Sequence, residues 1–306
     1  MNKKTLSLLC FLLFSAGVAF KAIANEHFLI ITWGGNSPDW NRTLHLSGVR
    51  IGCSDAPASC IQQVDQMAGS QRVSSVFLAI LLNPANVAAN SATFGNLALS
   101  HPSLAEVGFD DFVSQCEKTH LDPPELSSLL QTVASNLKSR SSKLQFGVTI
   151  YQDQLSSGAF DRLHLSDGVR QSIDVVHLFP HYRKERKSVT EYIAEAKRVF
   201  PNAKVILGVY AYDRREYLQC SADNHISCST DEEINLFDQI LREDLRAAGS
   251  GGAAGVEFFP GNFGAEDTWN GWNNVRACKQ DERAACVQNT VAMRAKVREA
   301  LGNIAP

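Results

Sequence analysis

The chain has 306 residues, a formal net charge of −3 and 44% hydrophobic residues, a balance typical of a globular protein with a large buried core. It contains no basic block or stripe, which argues against nucleic acid as the main partner.

The beginning of the chain has the pattern of a secretory signal peptide. The positively charged start MNKK precedes an apolar run over residues 6–20, and Ala-Ile-Ala at 22–24 forms a small-x-small cleavage site. That run is too short for a membrane span, and no later stretch is long and apolar enough for one. We therefore predict a leader over residues 1–24, one mature domain over residues 25–306, and a periplasmic or extracellular location without a membrane anchor.

Short apolar runs recur along the mature chain, and each has the composition of a buried strand. The predicted strands cover 27–35, 44–53, 74–82, 104–112, 144–154, 173–182, 203–213 and 253–261. Helix-like segments lie between several of them. These cover 123–140, where Pro123 suits a helix start, then 188–200, 230–249 with Thr230 as N-cap, and 283–301.

Alternating strands and helices imply a parallel sheet that is buried on both faces. Eight such strands favour a single-domain α/β fold of the (β/α)8 TIM-barrel class. Residues 35–43 leave no room for a helix between the first two strands, so we expect irregularity in the N-terminal part. A doubly wound open sheet is the alternative, although no G-x-G-x-x-G follows any strand.

The cysteines suggest local disulfide bonds. Eight are present, and removal of the leader with Cys10 leaves seven. Six of these form three close pairs, which are Cys53 with Cys60, Cys220 with Cys228, and Cys278 with Cys286. In an exported protein such pairs favour disulfides over a metal site, since no C-x-x-C spacing accompanies them. Cys116 is left as a buried free thiol.

Polar and aromatic side chains collect at the carboxyl ends of the predicted strands, where barrel enzymes keep their active sites. The predicted substrate-binding residues are Asp110, Tyr151, His177, His181, Tyr182, Tyr210, Tyr212, Asp213, Trp33, Trp269 and Trp272. Alternation along a regular strand would allow only one of Asp110 and Asp111 to enter the barrel mouth.

Glu257 stands in the middle of the apolar run AAGVEFFPG. A carboxylate buried there without a partner would cost several kcal/mol or keep a proton. It is therefore either the partner of a buried arginine or histidine, or part of a site. Glycosidic cleavage needs two carboxyl groups, one protonated and one ionised, and aromatic faces that pack on the sugar ring. The predicted catalytic residues are Glu257, Asp111 and Asp153, with Glu257 paired with one of the two aspartates.

Six segments at strand ends resemble the glycoside-hydrolase-like TIM barrels of secreted bacterial proteins. They read TWGG, GFDDF, GVTIYQDQL, HLFPHYRK, GVYAYDRREYLQC and GVEFFPGNFG. The resemblance covers about residues 27–290 and implies a barrel fold and an oligo- or polysaccharide substrate. The D-x-x-D-x-D-x-E motif of chitinase-like barrels is absent, so the resemblance assigns no catalytic residue.

Two other functions fit parts of the pattern. Asp110-Asp111 with His177 and His181 is similar to the Asp-Asp and H-x-x-x-H motifs of metal-dependent polysaccharide deacetylases. However, Pro180 makes HLFPH extended rather than helical, and Phe112 replaces the glycine expected after the acidic pair. A barrel that binds glycan without cleaving it is the second alternative. The prediction is a monomeric glycosidase that needs no cofactor and no metal.

Overall fold

The computed structural model describes residues 28–34, 41–42, 45–54, 56–181, 186–210, 231–259 and 292–303. Eight parallel strands pair in chain order, and the last pairs with the first, so that the sheet closes into a barrel. The strands are β1 (Leu29–Trp33), β2 (Gly48–Gly52), β3 (Ser75–Ile80), β4 (Leu104–Phe109), β5 (Gln145–Tyr151), β6 (Val175–Phe179), β7 (Lys204–Tyr210) and β8 (Gly255–Phe259). The predicted (β/α)8 fold is confirmed.

Helices follow most strands and surround the barrel. They are α1 (Pro57–Gln71), α2 (Val87–Leu97), α3 (Phe112–Lys118), α4 (Pro123–Lys138), α5 (Gln152–Ser156), α6 (Ala159–Leu163), α7 (Asp167–Ser172), α8 (Val189–Val199), α9 (Asp231–Gly249) and α10 (292–302). Capping boxes begin two of the predicted helices, at Asp122 for α4 and at Ser188 for α8. Between β1 and β2, the described residues are helical only at 41–42.

Strand ends are the places where the structure differs from the prediction. β4 ends at Phe109, so Asp110 and Asp111 lie beyond the strand rather than inside it. β5 ends at Tyr151, and α5 begins at the next residue, so Asp153 belongs to a helix and not to the predicted strand over 144–154. The alternation of a regular strand therefore does not govern where either aspartate points.

The strands bury apolar side chains on both faces, as parallel strands covered by helices do. The larger core lies between the outside of the barrel and the helices, and includes Val107, Val148, Leu207 and Val256. A separate small cluster of Ile31, Phe77, Val175 and Ile206 fills the barrel interior. Three members, Ile31, Phe77 and Ile206, are register neighbours of charged residues on the adjacent strands.

Two glycines make room for large side chains inside the barrel. A Cβ added at Gly147 would lie 2.0 Å from the Oε1 atom of Glu106, and one added at Gly208 would lie 2.2 Å from the ring of Phe179. Small residues on some strands therefore accommodate long residues from their neighbours, which is how a TIM-barrel interior is filled. Here one of the accommodated side chains is charged.

The structure tests part of the cysteine prediction. Cys53 and Cys60 form a disulfide bond, and Cys116 is a buried free thiol. The other two predicted pairs, the leader over residues 1–24 and the N-cap Thr230 lie outside the described residues. Among the described helices, none combines the length and the apolar character needed to cross a membrane.

Candidate functional site at the C-terminal mouth

Four charged residues form one layer across the inside of the barrel. Arg50 comes from β2, Glu106 from β4, His177 from β6 and Glu257 from β8, and the side chains of all four have 0% exposure. Alternate strands contribute the four members, which is the arrangement by which TIM-barrel interiors are layered. We call this set the charged layer.

Hydrogen bonds connect the charged layer from end to end. Arg50 Nη1 donates to Glu257 Oε2 at 3.3 Å, and the same oxygen is hydrogen-bonded to Nδ1 of His177. His177 Nε2 lies 3.1 Å and 3.0 Å from the two carboxylate oxygens of Glu106. With His177 protonated, both ring nitrogens donate, and the layer contains two positive and two negative charges. A buried set of charges is tolerated when it is paired in this way.

The electrostatics of the layer favour its charged form. Burial and Arg50 lower the pKa of His177, but Glu106 and Glu257 outweigh them, so that this pKa is raised above its ordinary value. Burial raises the pKa of Glu257, but Arg50 and His177 outweigh it, and the pKa is lowered. The imidazolium and the carboxylate therefore stabilise each other.

The sequence allowed Glu257 to be either the partner of a buried arginine or histidine, or part of a site. Its environment is that of the buried ion-pair partner. Its side chain is fully buried, and it forms ion pairs with Arg50 and His177, which both belong to the charged layer. Sequence reasoning missed Arg50 and Glu106. The signal was present, because each is a charged residue inside a short apolar strand, as Glu257 is.

Asp110 and Asp111 both lie at the mouth, which is the C-terminal end of the barrel. Asp111 has φ 45° and ψ 46°, a left-handed conformation that turns its side chain away from the course of β4. It occupies the N-cap position of α3, but its side chain makes no capping hydrogen bond. Its carboxylate instead accepts a hydrogen bond from the hydroxyl of Tyr151. Asp111 therefore does not cap α3 with its side chain.

Asp110 is the more buried of the two aspartates and interacts electrostatically with Arg50 of the charged layer. Burial raises its pKa, Arg50 opposes that effect, and the neighbouring Asp111 adds to it, so that the pKa ends above its ordinary value. The backbone carbonyl of Asp110 accepts a hydrogen bond from Nε2 of Gln115, whose Oε1 in turn accepts from the Leu82 amide. Gln115, which the sequence did not indicate, thereby ties the end of β4 to the end of β3.

Two tyrosines extend the contacts of Asp111. Tyr210 at the end of β7 donates to the Tyr151 hydroxyl at 3.3 Å, and Tyr151 at the end of β5 donates to Asp111. Burial, followed by Tyr210 and Asp111, raises the pKa of Tyr151. The Tyr151 hydroxyl therefore keeps its proton and remains a donor to the carboxylate.

His181 and Asp153 form a pair beside Tyr151. His181 Nδ1 lies 2.8 Å from Asp153 Oδ1, and the imidazole stacks on Tyr151 with ring centroids 3.7 Å apart. His177 belongs to the charged layer instead, so the two histidines face different surroundings. Among the described residues, no group of three His, Cys, Asp or Glu side chains could hold a metal ion.

Aromatic rings border the mouth on the side of β7, β8 and β1. Tyr210 packs on Phe259 with centroids 5.5 Å apart, and Phe259 on Trp33 at 5.8 Å. The Trp33 ring also lies over Arg50, with Cζ 4.9 Å from the ring centroid. Phe259 was not among the predicted binding residues. Five predicted residues lie outside the described part of the chain, namely Tyr182, Tyr212, Asp213, Trp269 and Trp272.

The mouth therefore combines carboxyl groups, protonated phenols and aromatic faces above a buried, charge-balanced layer. The environment of Asp110 favours its protonated form, whereas the side chain of Asp111 accepts a hydrogen bond from Tyr151. Neighbouring acids in different environments are the usual basis for acid and base roles at one site.

Comparison with known proteins adds information about the fold. No protein-family model matches the chain, and no curated protein matches its sequence. The structure is similar to the exo-β-1,4-mannosidase Op5Man5 from Opitutaceae bacterium strain TAV5, with a TM-score of 0.52 and 11% identity. The match covers 90% of this chain but 60% of the mannosidase chain.

Two further solved structures give lower scores. The Ignisphaera aggregans GH53 catalytic domain matches with a TM-score of 0.49 and 10% identity, over 74% of this chain and 79% of that one. The β-glucosidase from Thermotoga maritima matches with a TM-score of 0.43 and 10% identity, over 72% and 75%. At these identities the similarity concerns the fold alone. The chain is a TIM barrel that resembles those of glycoside hydrolases.

Proposed function

We propose that the protein is a glycoside hydrolase that cleaves an oligo- or polysaccharide at the C-terminal mouth of its barrel. The observation that carries the proposal is the carboxylate of Asp111, which is turned into the mouth by a left-handed backbone and hydrogen-bonded by Tyr151. The raised pKa of the adjacent Asp110 supports the second requirement, a carboxyl group that holds its proton more strongly than an ordinary aspartate does.

In this proposal Asp110 is the general acid that protonates the leaving oxygen, and Asp111 is the ionised carboxylate. Tyr151 orients Asp111, and Asp153 with His181 contacts the substrate beside them. Glu257, the first catalytic candidate from the sequence, supports the site from the charged layer. Its complete burial and its two charged partners favour that role over proton transfer to a substrate.

The aromatic residues at the mouth suit a sugar. The faces of Trp33, Tyr210 and Phe259 offer flat apolar surfaces to the C–H bonds of a pyranose ring, while the acids bind its hydroxyls. The sugars named for the structurally similar enzymes are properties of those enzymes. For this chain we propose only the general class of carbohydrate.

The test is mass spectrometry of a diverse oligosaccharide panel incubated with the purified chain and with two variants, Asp110→Asn and Asp111→Asn. We expect shortened sugars from the wild type and at least about 100-fold less product from each variant. Asp65→Asn is the matched control, because Asp65 pairs with His101 at the surface of α1, away from the mouth.

Other outcomes would replace the proposal. Cleavage that survives in both variants would place the chemistry elsewhere. Loss of acetyl mass without cleavage, abolished by a chelator, would indicate the deacetylase alternative. Binding of glycans without any change in their mass would identify a non-catalytic glycan-binding barrel.

We also propose that the protein acts outside the cytoplasm as a monomer. The apolar run and cleavage pattern at the start of the chain support export, and the local disulfide Cys53–Cys60 suits an oxidising compartment. Sequencing the N-terminus of the protein recovered from its host should give a start near Asn25. A chain that still begins with Met1 would contradict export by cleavage.

A further inference from the structure

The guanidinium group of Arg50 is fully buried but only partly hydrogen-bonded. Nη1 donates to Glu257, whereas Nε and Nη2 have no partner among the described residues. The second carboxylate oxygen of Glu257, Oε1, also lacks one. Native proteins contain few buried polar atoms of this kind, and each calls for an explanation such as a missing ligand.

These unpaired atoms lie in the charged layer, beside Trp33. Arg50 is the register neighbour of Trp33, which is the last residue of β1, and its guanidinium lies under the Trp33 ring. Because Nη1 of Arg50 and Oε2 of Glu257 already contact each other, the free N–H groups and the free oxygen belong to one small patch.

We propose that Arg50 and Glu257 form the floor of the sugar site and bind two neighbouring hydroxyl groups of one sugar ring. A hydroxyl can donate and accept at once. One hydroxyl would donate to Glu257 Oε1, and the pair would accept from Nε and Nη2 of Arg50. This inference rests on the proposed function, which it deepens by assigning the residues that select the substrate.

The electric charge of the surroundings selects uncharged hydroxyls over a carboxylate. Glu106 and Glu257 already balance Arg50 and protonated His177, and Asp110 lies close enough to interact with Arg50. A uronic acid would bring a further negative charge into this buried region, which carries a large desolvation cost. A vicinal diol brings none.

The Trp33 ring covers the floor in this structure. Arg50 and Glu257 have 0% exposure, and the guanidinium lies against the face of the indole. Trp33 is itself only partly buried. A sugar therefore reaches the floor by displacing the indole, which then offers its face to the ring.

The experiment observes the Nε–H signal of Arg50 by NMR while methyl glycosides of glucose, mannose, galactose and glucuronic acid are added one at a time. We expect at least one neutral glycoside to shift this signal. The same glycoside should bind about 10- to 100-fold more weakly to Arg50→Lys, which keeps the positive charge but loses the Nε and Nη2 donors. Arg170→Lys is the control, since Arg170 donates to the Leu165 carbonyl outside the mouth.

Each contrary result has a distinct meaning. A glycoside that binds without moving the Arg50 signal, or equally well to folded Arg50→Lys, overturns the inference and leaves the proposed function intact. A response to the glucuronide alone overturns the preference for neutral hydroxyls. If no glycoside binds and the oligosaccharide panel is not cleaved, the inference and the proposed function fail together. If Arg50→Lys does not fold, the inference is tested by the response of the Arg50 Nε–H signal in the wild type.

Discussion

Asp111 occupies a left-handed backbone conformation at a position where the chain passes from β4 into α3. Such a conformation is uncommon for residues other than glycine, although aspartate tolerates it better than most. The conformational free energy that this backbone costs is tolerated where the surroundings fix the residue. Residues of this kind concentrate at functional sites. Here the effect is specific, because the turn directs the carboxylate to the Tyr151 hydroxyl.

Removal of that hydroxyl tests the role of the contact. We expect Tyr151→Phe to lower turnover by about 10- to 100-fold, the loss that follows when a charged group loses one hydrogen bond. The substrate concentration at half-maximal rate should change much less, because the ring and its stacking on His181 remain. Steady-state kinetics on a substrate found with the panel measures both quantities.

Tyr192→Phe is the matched control. The Tyr192 hydroxyl accepts a hydrogen bond from the Lys187 amide beside α8, and its removal should leave turnover unchanged. Equal losses in the two variants would mean that the Tyr151 effect reflects general stability and not the orientation of Asp111.

A second prediction for a single residue concerns Glu257. Glu257→Gln leaves Arg50 and His177 buried without the shared carboxylate, so we expect the free energy of unfolding to fall by about 3–5 kcal/mol. Urea-induced unfolding measures the loss. A variant that unfolds like the wild type yet turns nothing over would restore Glu257 as a catalytic acid or base.

At the scale of the strands, β5 gives the clearest prediction. Gly147→Ala would place a methyl group 2.0 Å from the Glu106 carboxylate, which cannot move freely because His177 binds it. We expect a loss of about 1–3 kcal/mol in the free energy of unfolding. Gly69→Ala in α1 is the control, since nothing lies within 4 Å of the added methyl group and alanine favours the helix. A Gly147→Ala variant as stable as Gly69→Ala would contradict the packing described for this layer.

Strands were the part of the fold that the sequence predicted well. All eight were located, because each is a short apolar run bounded by polar or turn-forming residues. Their ends were predicted too long at β4 and β5. From the sequence alone, an aspartate just beyond a strand cannot be distinguished from the last residue of that strand. The backbone angles of Asp111 show that it lies beyond β4.

The placement of the candidate site residues was predicted in part. Asp110, Asp111, Tyr151 and Tyr210 come together at the mouth as strand-end positions imply. The pairing within the charged layer could not be predicted, because the ion pairs join strands that are distant in sequence. Arg50 and Glu257, for example, are 207 residues apart. A strand-by-strand search for inward charges would have indicated its members without showing their pairing.

For the whole molecule, the charged layer predicts how stability depends on pH. The raised pKa of His177 contributes stability that is complete below its unfolded value of 6.5 and is lost as pH rises through the folded pKa. The lowered pKa of Glu257 contributes stability that is complete above 4.5 and is lost as pH falls through the folded pKa. Both contributions are therefore complete between pH 4.5 and pH 6.5.

Urea unfolding of the wild type and of His177→Gln, between about pH 3 and pH 9, measures this dependence. Subtracting the two profiles removes the contributions of the other titrating groups. Asp244 is one of them, and burial raises its pKa to about 6. We expect the difference to be largest inside the window and to decrease on both sides. A difference that stays constant with pH would show that the layer does not titrate as described.

The pairing pattern of the charged layer also bears on how the chain folds. Arg50 and Glu106 belong to the first four strands, His177 and Glu257 to the last four, and the links from Arg50 to Glu257 and from His177 to Glu106 both cross between the halves. The second half formed alone would keep the contact between His177 and Glu257, whereas the first half would hold Arg50 and Glu106 without either native partner. Such an intermediate gains little from compaction, since unpaired charges resist leaving water. The ionic interior therefore favours concerted closure, in which the two halves of the chain become native together.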